Sequence, residues 1–255
     1  MTYLKSIAKH AMDARFFWKS VPKRLLFEHV PKCGGTTVVK YLSDQYPFSK
    51  TYQLDNHQPM VSIQRFKNMP QKERYSYHFV VGHMAHLLKD DVHPEMLKAT
   101  ILRDPIDRMV SHYYYVLRRP THYLYEQVKR EGVSLKDYVT LELSRELRNN
   151  YVHRFSQIEE KQMLSHPREA LEKAIEVLTE EYQFVGFLES LEADLLRLKH
   201  LMGFSESYVP MKANATAGRK KVEELDPQTL KEVEAMNLLD VALYQKICDQ
   251  RVIGG

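Results

Sequence analysis

The sequence predicts an α/β fold in which a mostly parallel central sheet carries helices on both faces. Four short apolar runs have the length of buried strands. Segments with the spacing of amphipathic helices lie between them, and strands that alternate with helices usually pair in parallel. The predicted strands are Arg24–Val30, His78–Val81, Ala99–Leu102 and Tyr182–Leu188. The predicted helices are Thr36–Asp44, Pro59–Asn68, Ile106–Arg118, Leu135–Arg148, Pro167–Glu180, Leu191–Leu201 and Pro227–Ile247.

Length and composition indicate one globular domain. The chain has 255 residues, of which 44% are hydrophobic and 27% charged, and no repeat or Gly/Ser linker interrupts it. We therefore expect a single domain over residues 24–255. The two cysteines, Cys33 and Cys248, lie too far apart in sequence for a Cys-x-x-Cys motif and are too few for a disulfide framework, which favours a reducing compartment.

The first 23 residues predict an amphipathic lead-in helix. Lysines and arginines alternate there with apolar residues, and no apolar run is long enough for a signal peptide or a membrane span. Such a helix either docks on the rest of the protein or contacts an anionic surface. We expect a cytoplasmic protein, with peripheral membrane contact as an open alternative. The net charge of +4 suits an anionic ligand but is too small to indicate nucleic acid.

The first predicted strand leads directly into a loop that is suited to bind an anion. The loop Pro31–Thr37 reads PKCGGTT. Its adjacent glycines, Gly34 and Gly35, allow the backbone to approach a ligand closely, and the following helix offers unpaired N–H groups at its positive end. Lys32 adds a full charge. The unit is P-loop-like but is not a Walker A loop, because the lysine comes first and GxxxxGK[ST] is absent.

The third predicted strand is followed by a second anion-binding pattern. Asp104 is a good N-cap and Pro105 suits the first helical position. Arg103 ends the strand and Ser111 lies two turns into the helix, so both side chains can face one crevice. The planar guanidinium matches a phosphate dianion. The alternative is a structural ion pair between Arg103 and Asp104 or Asp107.

Both loops resemble segments of membrane-type carbohydrate sulfotransferases, the group that contains heparan-sulfate 2-O- and 6-O-sulfotransferases and their bacterial relatives. FEHVPKCGGTT is similar to the F-x-H-I-P-K-T-G-G-T-[ST] segment of that family. LRDPIDRMVSHY is similar to its L-R-[DN]-P-x-x-R-x-x-S-x-[YF] segment. The resemblance spans roughly residues 25–204.

The resemblance implies that 3′-phosphoadenylyl sulfate (PAPS) is the sulfuryl donor. It assigns the 5′-phosphosulfate to the first loop, where Cys33 replaces the usual Thr or Ser and offers a weaker hydrogen bond. It assigns the 3′-phosphate to the second loop, with Arg108 as a nearby support. The implied donor-binding residues are Lys32, Cys33, Gly34, Gly35, Thr36, Thr37, Arg103 and Ser111. The role of Asn214 and Thr216, in a late N-x-T element, stays open.

Sulfuryl transfer to an alcohol needs a base, an acceptor in line with the breaking bond, and positive charge at the leaving oxygen. Lys32 can supply that charge without a metal. His83 follows the second predicted strand, titrates near neutral pH, and lies in an F-x-x-G-H arrangement that resembles the segment carrying the family's catalytic histidine. We predict His83 as the base. The alternatives are His86, Glu28, Asp90 and Asp91.

The sequence thus predicts a PAPS-dependent O-sulfotransferase whose acceptor is a hydroxyl of a carbohydrate, a glycolipid or a similar molecule. Two further functions remain open: a kinase-like phosphoryl-transferase, and an inactive module that binds adenosine phosphates. We expect no metal, because the histidines near His83 lack cysteine or acidic partners that would complete a ligand set. We also expect no nucleic-acid partner. The acceptor and the oligomeric state are not determined by the sequence.

Overall fold

Five parallel strands form one sheet in the described part of the chain. The structure is a computed structural model that describes residues 22–141, 143–205 and 219–253. The strands are β1 Leu25–Glu28, β2 Thr51–Gln53, β3 Phe79–Gly82, β4 Leu97–Leu102 and β5 Phe184–Phe187. Their order is β2-β3-β1-β4-β5, and every neighbouring pair is parallel. The predicted parallel sheet is therefore confirmed.

Helices connect the strands and continue the chain beyond the sheet. They are α1 Gly35–Ser43, α2 Pro59–Lys67, α3 Gln71–Arg74, α4 Pro105–Val116, α5 Tyr125–Arg130, α6 Leu135–Thr140, α7 Asn150–Ser156, α8 Glu160–Ser165, α9 Pro167–Glu176, α10 Leu191–Met202, α11 Pro227–Met236 and α12 Leu238–Ile253. Among the described residues, no helix is both long enough and apolar enough to cross a membrane.

The chain divides into two compact units. The sheet unit contains the described residues of 22–102 and 182–205, and the helical unit contains those of 103–181 and 219–253. The prediction of a single domain over residues 24–255 stays a prediction. The predicted lead-in helix at 1–23 lies outside the described residues apart from Pro22 and Lys23, and so do Asn214 and Thr216.

Both faces of the sheet are covered by helices, as predicted. Alternate residues of a strand point to opposite faces. Leu25 and Phe27 of β1 join a core with residues of α1 and α10. Leu26 joins a second core with residues of α2 and of a short 3-10 helix, Ala85–Leu88.

The helical unit has its own core and a buried polar group that fixes α7. The apolar core joins residues of α4, α5, α6 and α11. The carboxylate of Asp240, on α12, is fully buried and accepts hydrogen bonds from the N–H groups of Tyr151 and Val152, at 2.9 Å each. Burial raises the pKa of Asp240 to about 6, against the opposing effects of the Arg108 charge and these hydrogen bonds. Asp240 therefore caps the first turn of α7 from a distant part of the sequence.

Some helices and one strand differ from the sequence-based predictions. Strand β2 has only three residues, Thr-Tyr-Gln, and no apolar run. The helix predicted over Leu135–Arg148 ends at Thr140, and the Ser144 side chain then caps a new turn by accepting from Glu146 N–H. The helix predicted over Pro227–Ile247 is broken at Asn237 into α11 and α12. The short helices α3, α5, α7 and α8 were not predicted.

Replacing Asp194 by alanine should destabilise the fold. Its fully buried carboxylate accepts from Phe187 N–H at 2.8 Å, from the Ser190 hydroxyl at 2.7 Å and from Arg197 at 2.9 Å, so it ties β5 to α10. Loss of these bonds leaves a buried donor unpaired, and we expect Asp194→Ala to lower the free energy of unfolding by about 2–3 kcal/mol. Urea denaturation measures this, with the exposed Glu192→Ala as the control. An Asp194→Ala variant as stable as its control would contradict the assignment.

Candidate active site

The loop after β1 is held in an unusual backbone conformation. Lys32 has a φ of 68° and Gly34 a φ of 73°, so both lie in the left-handed region. This region suits glycine but strains a lysine. The Gly34 carbonyl accepts from the N–H groups of Thr37 and Val38, which starts α1 immediately after the turn. The first N–H groups of α1 have no partner within the helix, so they are available to an anion.

Gly35 is required by close packing rather than by its backbone angles. A Cβ atom at this position would lie 1.5 Å from Nε2 of His29. The imidazole of His29 therefore lies directly against the start of α1. The side chain of Cys33 is buried, and its Sγ lies 3.7 Å from the Pro31 carbonyl oxygen. A contact between Cys33 and a donor would consequently involve its backbone.

His83 lies beside this loop, at the carboxyl end of β3. Its Nδ1 is 2.6 Å from the carbonyl oxygen of His29, and the two imidazole rings are 4.2 Å apart between centroids. A carbonyl only accepts hydrogen bonds, so Nδ1 carries the proton and, in neutral His83, Nε2 holds the lone pair. This tautomer is the one that can take a proton through Nε2.

Glu28 fixes the turn that carries His83. Its side chain is fully buried and accepts from the N–H groups of Met84 at 3.2 Å and His86 at 2.7 Å. Its carboxylate also lies 3.1 Å from Nδ1 of His86. Glu28 thus joins the end of β1 to the turn after β3, which suits a positioning residue. Asp91 is engaged elsewhere, because it forms ion pairs with Arg74 and Lys67.

The second predicted binding segment begins the helical unit. Asp104 caps α4 by accepting from Asp107 N–H at 2.8 Å, as predicted. Arg103 is buried and donates from Nε to Asp107 at 2.8 Å. The structure therefore contains the ion pair that the sequence left as an alternative. The Tyr151 hydroxyl bonds to both the N–H and the carbonyl of Arg103 and fixes its backbone.

Arg219 is a residue that sequence reasoning missed. It forms an ion pair with Asp107, the same carboxylate that pairs with Arg103. Burial and the charge of Arg103 lower the pKa of Arg219. Two guanidinium groups thus share one carboxylate at the start of α4. The sequence signal for this residue is the basic run Arg219-Lys220-Lys221. Because the run lies more than 100 residues after Arg103, its contact with Asp107 could not be predicted.

The remaining predicted residues of this segment are buried on α4. Ser111 is 5% exposed, and Arg108 is fully buried, with its guanidinium 5.3 Å from the centre of the Tyr151 ring. Arg108 also donates to the Glu146 carbonyl at 3.2 Å. These contacts place Arg108 in the interior of the helical unit, which agrees with a supporting role.

Within the sheet unit, the carboxyl ends of β1 and β4 lie side by side. Strands β1 and β4 are hydrogen-bonded parallel neighbours. The loop after β1 and the point where the chain leaves β4, at Leu102, therefore lie on the same edge of the sheet. In parallel α/β sheets, ligands bind at this edge. Among the described residues, no group of three or more His, Cys, Asp or Glu side chains is placed to hold a metal ion.

The chain belongs to the sulfotransferase family, whose sequence profile matches residues 15–246. The activity of this class is transfer of a sulfuryl group. The chain is also similar to a sulfotransferase from Alicyclobacillus acidocaldarius known from a crystal structure, with 18% sequence identity, coverage of 88% of this chain and 95% of that one, and a TM-score of 0.45. No curated protein matches the chain significantly in sequence.

Because Gly35 lies against His29, we predict that a single methyl group added at position 35 strongly lowers activity. In Gly35→Ala the new Cβ would collide with the His29 ring, which must turn away and lose its contact with the His83 ring. We expect sulfotransferase activity to fall at least about tenfold, the effect of roughly 1.4 kcal/mol. Ser165→Thr is the control, because it also adds one methyl group but at an exposed position, the end of α8. Equal activity of the two variants would contradict the proposed packing.

Glu28→Gln tests whether Glu28 positions the turn or acts as the base. The amide NH₂ would face the N–H donors of Met84 or His86, so we expect a stability loss of about 1–3 kcal/mol together with reduced activity. Thermal unfolding and initial rates are measured on the same preparation, with the exposed Glu73→Gln as control. Lost activity at unchanged stability would instead indicate a chemical role for Glu28.

Proposed function

We propose that this sulfotransferase moves the sulfuryl group of PAPS to a hydroxyl of a carbohydrate, a glycolipid or a similar acceptor, with His83 as the base. One observation carries the proposal. The turn at Lys32 and Gly34 leads directly into α1, and beside it lies His83, whose Nδ1 donates to the His29 carbonyl. An anion site and a proton acceptor are thus neighbours in the sheet unit. Membership of the sulfotransferase family disfavours a kinase-like enzyme. The pairing of anion site and proton acceptor disfavours an inactive binding module.

In the proposed reaction, Nε2 of His83 takes the proton of the acceptor hydroxyl. The acceptor oxygen forms a bond to sulfur from the side opposite the leaving group. The bond between sulfur and the bridging oxygen breaks, and its electron pair stays on the 5′-phosphate of adenosine 3′,5′-bisphosphate. Lys32 and the first N–H groups of α1 stabilise the charge that develops on that oxygen. The transferred group needs no further cation to neutralise it, because a sulfuryl group carries less charge than a phosphoryl group.

We further propose that Arg103 and Ser111 bind the 3′-phosphate of the donor. Arg103 is paired with Asp107 in this structure, but Asp107 has a second partner in Arg219. Arg103 can therefore turn part of its guanidinium to a phosphate while Asp107 remains paired. This shared carboxylate reduces the cost of leaving a buried charge without a partner.

The cytoplasm is the proposed location. The chain has only two cysteines, far apart in sequence, and so has no disulfide framework of the kind found in secreted proteins, which supports a reducing compartment.

Donor identity is tested by titration calorimetry with adenosine 3′,5′-bisphosphate and with ATP. We expect the bisphosphate to bind at least about a hundredfold more tightly, or roughly 2.7 kcal/mol, since ATP lacks the 3′-phosphate. Arg103→Ala should remove most of that preference, while Arg130→Ala, at the end of α5, should keep it. Tighter binding of ATP would contradict PAPS as the donor.

The two chemical roles are tested by Lys32→Ala and His83→Asn. We expect each to lower kcat by about a hundredfold or more, by the loss of roughly 3 kcal/mol of transition-state stabilisation. His83→Asn should leave the affinity for the bisphosphate unchanged, because the base does not bind the donor phosphates. The exposed variants Lys72→Ala and His200→Ala are the controls. A His83→Asn enzyme with normal kcat would eliminate His83 as the base.

A further inference from the structure

We infer that the acceptor binds in a groove of the sheet unit formed by α1, β2 and α2, and that it is an uncharged polyol such as a neutral sugar rather than an anionic chain. The inference rests on the proposed function, because it needs His83 as the base. It adds the acceptor's location and its chemical class.

The groove consists of two cavities that share part of their lining. The smaller cavity, of about 290 Å³, borders the end of β3 and the first turn of α1 and is lined by His29, Thr36 and Gly82. The larger cavity, of about 800 Å³, extends between the end of α1 and the start of α2. Both are lined by Ser43, Gln53 and Asn56, so the two cavities are adjacent.

The near end of the groove lies where the chemistry is proposed to occur. His29 lines the smaller cavity, and the centroid of its ring lies 4.2 Å from that of the His83 ring. Thr36 lies in the first turn of α1, whose N–H groups are proposed to bind the 5′-phosphate. One end of a molecule that fills the groove therefore contacts His29, which adjoins His83, and the first turn of α1. A volume of about 800 Å³ accommodates more than a single sugar ring.

The charges of the groove balance. Its lining includes the carboxylates of Asp44 and Asp55 and the cations of Arg65 and Lys40. Hydrogen bonds from the N–H groups of Gln58 and His57 lower the pKa of Asp55, so that carboxylate is ionised at neutral pH. A polyanionic acceptor needs an excess of lysine and arginine, and each carboxylate in the groove would repel it.

The other lining groups match hydroxyl-rich molecules. Gln53 and Asn56 offer amides and Ser62 a hydroxyl, which can each both donate to and accept from a sugar hydroxyl. Phe48 is 56% exposed, with its ring in the wall of the larger cavity. An exposed aromatic ring offers an apolar face against which a sugar ring can pack. Carboxylates, amides and an aromatic wall together favour an uncharged polyol.

The experiment blocks the groove at the junction of its cavities. Wild type, Gln53→Trp and Met60→Trp are compared with labelled PAPS and two acceptor pools, neutral oligosaccharides and heparan-type anionic oligosaccharides. Met60 is a matched control, because it is 55% exposed on α2 but lines neither cavity. We expect wild type to sulfate the neutral pool, and Gln53→Trp to lower kcat/KM for it by about tenfold or more. The affinity of both variants for adenosine 3′,5′-bisphosphate should equal that of wild type.

Four results would overturn the inference, and each rejects a particular part of it. Sulfation of the anionic pool in preference to the neutral one would reject the acceptor class. Full activity of Gln53→Trp, or an equal loss in Met60→Trp, would reject the groove as the binding site. A wild-type chain that fails to bind the bisphosphate would reject the proposed function itself, and the inference with it.

Discussion

The buried carboxylate of Glu28 is the interaction on which the candidate site depends. It lies at the end of β1, inside the sheet unit, and is fully enclosed. A carboxylate in this position is tolerated only when its oxygens are hydrogen-bonded, and the turn after β3 provides the donors in Met84 and His86. Thr100 of β4 donates its hydroxyl to the Glu28 carbonyl at 2.9 Å, so three strands meet at this residue. The position of His83 relative to the loop after β1 therefore depends on the hydrogen bonds that the buried Glu28 carboxylate needs.

Arginine and carboxylate contacts organise the helical unit in a comparable way. Asp107 is shared between Arg103 and Arg219, and Asp240 caps α7 from the far end of the sequence. In both cases a carboxylate connects segments that are distant along the chain. Such connections give each segment a defined geometry, because its carboxylate is held by partners from another part of the chain.

Much of the fold and part of the site could be predicted from local sequence signals. The four apolar strands, the Gly34-Gly35 turn and the Asp104 cap each depend on residues close together in the chain, and all are present in the structure. The roles of Glu28 and Arg219 could not be predicted, because they depend on contacts with residues 56 or more positions away. Strand β2 was missed because three residues carry too little periodicity.

The left-handed backbone at Lys32 has a consequence for what the loop tolerates at this position. The energy needed to bend a lysine into this conformation is spent when the chain folds, so the rest of the fold must offset it. A glycine would adopt the same backbone angles without that cost, but it would carry no charge. The stability of the chain and the charge of the loop therefore make opposite demands on this one position.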